Sequence, residues 1–143
     1  MATYTMFRGD TFVFADQILT PTSSTVVGQV IQYISRGKAN ELGIQGIPIN
    51  ITGFRIWFTM KKQVEDADPG VTQLDNLALG GVLITTPING QYQVTIPTLA
   101  TRGMQDGQWS LLYDVQVKDA GGAIVTVDFG AMIVNPDITL AIQ

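Results

Sequence analysis

The chain has 143 residues with no Cys and no His, and its 8 Lys and Arg against 12 Asp and Glu leave a net charge of −4; that length suits one domain, and the missing residue types remove the commonest general base, the thiolate nucleophile and the usual zinc ligands. No basic run favours nucleic acid, and no apolar run reaches the roughly 18 residues of a membrane span. Only 14% of residues are charged, against about 25% in an ordinary soluble domain, and mean hydropathy is +0.23, so much of the surface is expected to be covered by other subunits of a permanent assembly.

Residues 1–10 lack the apolar segment of a signal peptide, and export by that route is not expected. Arg8-Gly9-Asp10 is the tripeptide by which many extracellular ligands engage integrins, but an adhesive copy must stand on an exposed loop tip. Here Phe12 and Phe14 follow at once in alternation, which predicts a strand-initiating turn.

Residues 20–46 read as an insertion-like segment. Ser23 or Ser24 can cap a short helix carrying Val27, Val30, Ile31 and Ile34 at helical spacing, with Gly37 as its stop. A hairpin arm near residues 24–36 is the alternative, because Gly28 and the β-branched content weaken a helix. The apolar residues lie outside the strand pattern, so Val27, Ile31 and Ile34 are expected to contact other subunits, and deletion of the segment is expected to spare folding.

From residue 47 onward the signals are strands and turns. Residues 51–60 form one strand with Phe54, Ile56, Phe58 and Met60 on a core face and Arg55 and Trp57 on the other, where both are candidates for interaction. Asn50-Ile51-Thr52 fits a glycosylation sequon but is read as the start of that strand. Glu65-Asp66-Ala67-Asp68 offers hard oxygen ligands for Ca²⁺, although a solvated turn into Pro69-Gly70 is the favoured reading.

Ile88-Asn89-Gly90-Gln91 predicts a two-residue type I′ hairpin. It would set Leu83 opposite Ile96, Thr85 opposite Val94 and Pro87 opposite Tyr92, with Pro87 on an edge strand. A three-residue loop, Ala120-Gly121-Gly122 with Gly122 left-handed, would pair Val117 with Val125, Val115 with Val127 and Tyr113 with Phe129. Trp109 shares the core face with Leu111, Tyr113 and Val115. The same register places Asp114 against Asp128, and two facing carboxylates need a counter-charge from Arg8, Arg55 or a bound cation. As a catalytic pair they would sit closer than the roughly 5 to 9.5 Å that glycoside hydrolysis uses, so no enzyme is expected.

These elements predict an all-β chain, one domain over residues 1–143, built as an antiparallel immunoglobulin-like β-sandwich of about seven strands. A partly open barrel is the alternative. The run Arg8-Gly9-Asp10-Thr11, then Ile51-Thr52-Gly53-Phe54, Gly107-Gln108-Trp109 with Tyr113-Asp114-Val115-Gln116, Gly121-Gly122 with Thr126 and Gly130, and Asp137-Ile138-Thr139 resembles small immunoglobulin-like virion proteins of tailed bacteriophages. It is similar to the baseplate upper protein N-terminal domain. The resemblance covers most of the chain and implies a virion structural protein, a non-catalytic adaptor or attachment subunit of the tail, baseplate or fibre apparatus.

The implied partners are copies of the chain and other virion proteins, with no cofactor and no metal, in a virion made in the host cytoplasm. The resemblance also puts Arg8 at the start of a first strand near the second hairpin, so Arg8, Asp114 and Asp128 are expected to form a structural charge cluster that is insensitive to chelators. Capsid decoration or a head fibre is one alternative. A carbohydrate-binding module for host glycans is another, with Trp57, Trp109 or Tyr92 stacking on sugars and the acidic loop holding Ca²⁺.

Overall fold

The computed structural model describes residues 2–22, 25–26, 29–63, 66, 70–102, 104 and 107–136. In chain order the strands are β1 (Ala2–Phe7), β2 (Phe12–Pro21), β3 (Thr25–Val26), β4 (Gln29–Val30), β5 (Ile34–Ser35), β6 (Gly46–Pro48), β7 (Arg55–Lys61), β8 (Thr72–Asp75), β9 (Val82–Thr86), β10 (Gln91–Ile96), β11 (Trp109–Lys118) and β12 (Ile124–Asn135); the helices are α1 (Arg36–Leu42) and α2 (Leu99–Arg102).

One sheet runs β1-β12-β11-β7-β8, and the other runs β5-β2-β10-β9 with β6 also on β2. They pack face to face as a β-sandwich. The orders β2-β10-β9 and β12-β11-β7 reproduce the BED and GFC sheets of immunoglobulin-like domains, with β8 as an added strand. All of these ladders are antiparallel except β1 on β12.

Period-two alternation creates the core. Ile56, Phe58 and Met60 on β7, Tyr92, Val94 and Ile96 on β10, and Leu111, Val115 and Val117 on β11 are all fully buried. Burying each large apolar side chain contributes about 1.5–3 kcal/mol. Tyr4 on β1, outside the predicted strand set, stacks on Phe14 at 4.6 Å and lies 5.3 Å from Tyr113. That strand escapes a local reading because its ladder partner is β12, at the other end of the described chain.

The β9–β10 hairpin differs from the two-residue prediction. Pro87, Ile88 and Asn89 form a 3-10 turn capped by left-handed Gly90 at φ 72°, since Pro87 fixes a φ suited to starting such a turn. Val94 therefore faces Val82 instead of Thr85, and Tyr92 faces Ile84 instead of Pro87. A displacement by an odd number of residues exchanges the two faces, which leaves Leu83 62% exposed. Pro87 does follow an edge strand, as expected.

Gly90 is also held sterically, because a Cβ there would lie 2.6 Å from the Ile18 carbonyl oxygen and 2.9 Å from that of Ile49. Gly90→Ala is expected to destabilise by about 2–4 kcal/mol. Gly122 has φ +91° but open space around it, so Gly122→Ala should cost only about 1–2 kcal/mol. Urea midpoints of the two variants check this ordering.

The helix within residues 20–46 forms later than predicted. Ser35 is its N-cap, with Oγ accepting from the Lys38 amide, and Gly43 stops it at φ 72°. Gly37 lies in its first turn. Upstream, β3 and β4 make the hairpin arm that was the alternative, while Val27, Ser23 and Ser24 lie outside the described residues.

The expectation that this segment avoids the core is corrected. Ile34 is buried with Leu19, Ala39 and Ile44, and Ile31 packs against them. The cause is β2, whose second half pairs with both β5 and β6. Deleting the segment would uncover Ile18 and Leu19, so it would not spare folding.

Candidate functional site

Arg8-Gly9-Asp10 is the turn between β1 and β2. The Asp10 amide donates to the Phe7 carbonyl at 3.1 Å, Gly9 has φ 80°, and the Gly9 amide donates to Thr101 Oγ1 at 2.9 Å. Arg8 is 8% exposed and its Nη1 donates to the Met104 carbonyl at 3.2 Å. A guanidinium turned inward cannot serve as an adhesive tip, and the turn reading stands.

The β11–β12 hairpin starts as predicted. Val117 faces Val125, and Gly122 is left-handed and donates its amide to the Asp119 carbonyl. A bulge then shifts the register, so that Val115 faces Asp128, Asp114 faces Phe129 and Tyr113 faces Gly130. The bulge turns both Val127 and Asp128 into the sandwich. Asp114 stays on the outer face, beside a groove of about 280 Å³ that it lines with Thr59, Lys61, Leu112 and Phe129. The predicted face-to-face pair is therefore corrected.

Asp128 is 2% exposed, and the Tyr113 hydroxyl donates to its Oδ2 at 3.3 Å. Burial above all, with the Asp16 charge adding to it, pushes its carboxyl up to about 6, and Lys38 works in the opposite direction. The expected Arg8–Asp114–Asp128 cluster is replaced by Asp128, Asp16 and Lys38, brought together because α1 packs beside β12. Burial likewise raises the Asp16 carboxyl, although its Oδ1 accepts from the Gln17 and Gly37 amides. Lys38, 3% exposed, pairs with Glu41 at 3.2 Å and lies 3.9 Å above the Phe129 ring. Asp128 and Lys38 of this cluster are buried, while Asp16 also lines a surface groove with Ala15, Gln17, Arg36 and Gln93.

Arg55 and Trp57 occupy the outer face, as predicted, but they are engaged with neighbours. Arg55 Nη2 pairs with Asp75 Oδ2 at 2.8 Å, and its guanidinium lies 4.7 Å above the Trp57 ring. Asp75 is fully buried, and its Oδ1 accepts from the amides of Leu77, Leu79 and Gly80. Burial opposes its charge, but Arg55 and these amides outweigh that and hold the carboxyl below its usual range.

Of the proposed sugar-stacking residues, Tyr92 is fully buried and is corrected. Trp109 is half-buried against the core, with Lys62 Nζ 4.6 Å above its ring. Asn50 Oδ1 closes a local turn by accepting from the Thr52 amide at 2.9 Å. In the acidic loop, Asp66 Oδ2 accepts from the Gln63 amide at 3.1 Å; Glu65, Ala67 and Asp68 lie outside the described residues. Among the described residues no three His, Cys, Asp or Glu group as metal ligands, and no helix is long and apolar enough to cross a membrane.

The outer face of β2, β10 and β9 is different in character. Val13 lies opposite Thr95, Ala15 opposite Gln93, and Gln93 in turn opposite Leu83; Val13 and Leu83 are 49% and 62% exposed. No charged residue stands between Asp75 and Arg102 in the chain, so β9 and β10 bring no charge to it. Arg36 marks one margin, where its Nε donates to Gln17 Oε1 at 2.7 Å. Charge spacing along the chain signals this face, but its assembly into one surface depends on the register.

No family model matches the chain, and no curated protein matches it.

Proposed function

We propose that the chain is a non-catalytic structural subunit of a virion, an adaptor or attachment piece of the tail, baseplate or fibre apparatus, which works by presenting a rigid neutral face to its neighbours. The observation that carries this reading is the uncharged outer face of β2, β10 and β9. A chain of net charge −4 repels its own copies over most of its surface, and permanent contacts favour places where neither side buries an unpaired charge. Leu77 and Leu79, in the turn between β8 and β9, are also exposed, at 61% and 54%, and fit the same role.

Mass spectrometry of gradient-purified particles tests the proposal. Peptides of this chain are expected in fixed ratio to the tail proteins. Particles that lack the chain, while the soluble lysate contains it, overturn the reading.

A further inference from the structure

We infer that the cluster around Asp128 is a binding site for one monovalent cation of sodium size, held between Asp128 on β12 and Tyr92 on β10 so that it links the two sheets of the sandwich. Two oxygens carry the inference. Asp128 Oδ1 and the Tyr92 hydroxyl are buried and have no hydrogen-bond partner among the described residues, and the residues that bear them are 2% and 0% exposed. Buried polar atoms of native proteins are nearly always satisfied by protein, water or an ion, and each one left bare is destabilising.

The two oxygens face one place. The ladder between β10 and β2 sets Tyr92 opposite Asp16, and the groups that act on the Tyr92 hydroxyl are Asp16, Asp128, Tyr4 and Tyr113. Tyr113 brings its own hydroxyl to the other oxygen of Asp128 at 3.3 Å. Asp16 and Tyr92 also line the surface groove beside Arg36, which gives an ion a way in.

Charge decides between a water molecule and an ion. Asp16 and Asp128 bring two carboxylates to the cluster, and among the described residues neither has an ion-pair partner. Asp16 Oδ1 is served by the amides of Gln17 and Gly37, whereas Asp128 Oδ1 is served by nothing. Lys38 is the one ammonium nearby, and its Nζ is engaged by Glu41 at 3.2 Å and by the Phe129 ring at 3.9 Å. Two carboxylates against one ammonium leave one negative charge in excess, and a buried charge without a partner is strongly destabilising. A water molecule supplies the hydrogen bonds but not the charge.

The donor set fixes the class of ion. Carboxylate and phenol oxygens are hard ligands, unsuited to soft metals. Calcium takes six to eight oxygens, several of them carboxylate, and among the described residues no three acidic side chains group together. One excess charge matches one sodium ion. In a chain without Cys, such an ion would join β12 of one sheet to β10 of the other.

Melting midpoints at pH 8 in sodium chloride and in choline chloride of equal ionic strength test the site, because choline is too large to enter it. The wild type is expected to melt about 3–5 °C higher in sodium. Asp128→Asn keeps the shape and removes the charge, and is expected to melt at the same temperature in both salts. Tyr92→Phe keeps the carboxylate and removes one ligand oxygen, and should show a smaller difference than the wild type, with an unchanged circular dichroism spectrum.

Equal wild-type midpoints in the two salts overturn the inference and leave a water molecule between the oxygens. A sodium effect undiminished in Asp128→Asn overturns it as well, since sodium then acts elsewhere. So does a larger rise in calcium chloride that Asp128→Asn abolishes, which would make the site divalent. Neither side chain lies on the outer face of β2, β10 and β9, so this inference and the assembly reading fail separately.

Discussion

Asp75→Ala is expected to produce the largest loss of stability of any single side-chain truncation described for this protein, about 3–5 kcal/mol. The carboxylate is fully buried, yet it satisfies three backbone amides through Oδ1 and one guanidinium through Oδ2. Truncation strands the amides of Leu77 and Leu79 in the turn that leads into β9, while the Gly80 amide keeps the Leu77 carbonyl, and each orphaned group costs about 1–3 kcal/mol before any relaxation. Asn76 adds a second tie, accepting from the Ile56 amide at 2.8 Å and donating to the Phe54 carbonyl at 2.9 Å.

Arg55→Ala should cost less than Asp75→Ala, because the Arg55 side chain is 41% exposed and water screens its share of the pair. Equilibrium urea unfolding of the two variants measures the difference. An Asp75→Ala midpoint within error of that of Arg55→Ala would show that the amide cage contributes little.

The second large effect is a stability that falls as pH rises from about 4 to about 6. Asp128 has its carboxyl pushed up from 3.8 to about 6 in the fold, so the native state binds more protons than the unfolded state across that window. Stability is then fully present below the unfolded value and is lost as pH rises through the folded one. The groups around Asp128 are Tyr4 on β1, Asp16 on β2, Lys38 on α1, Tyr92 on β10 and Tyr113 on β11. Burial raises Asp16 in the same direction. By pH 8 the shift of Asp128 alone amounts to about 3 kcal/mol.

Asp128→Asn keeps a polar partner for the Tyr113 hydroxyl and removes the titration. It should raise the melting midpoint at pH 8, leave it near the wild type at pH 4.5, and flatten the profile between. Below about pH 4 the sign reverses, because Asp75 and Asp119 have lowered carboxyls whose contributions disappear as they protonate. Thermal melts of both proteins at pH 3, 4.5, 6 and 8 test the whole curve. An Asp128→Asn variant no more stable than the wild type at pH 8 would mean that Lys38 fully offsets the buried charge.

The sequence by itself determined the class of fold and the faces of its longest strands, since alternation in β7 and β11 is a property of neighbouring residues and needs no partner to be read. It also determined the glycine turn after β11, because the loop between two alternating strands needs a left-handed residue that Gly122 supplies at no steric cost. Its empty interval between Asp75 and Arg102 was legible as well, though not its place on one sheet face.

Only the tertiary structure decided the register changes. Whether Asn89-Gly90 closes a two-residue turn or caps a 3-10 turn depends on Gly90 fitting against the carbonyls of Ile18 and Ile49, far away in the chain. Whether Asp128 lies outside opposite Asp114 or inside beneath Tyr113 depends on a bulge, and the buried carboxyl meets Lys38 and Asp16 from α1 and β2. Arg8 was expected beside those carboxylates and instead meets the Met104 carbonyl. The physical reason is the same each time: turn geometry and alternation are local, while the environment that settles a slip of one residue or the partner of a charge comes from strands and helices remote in sequence.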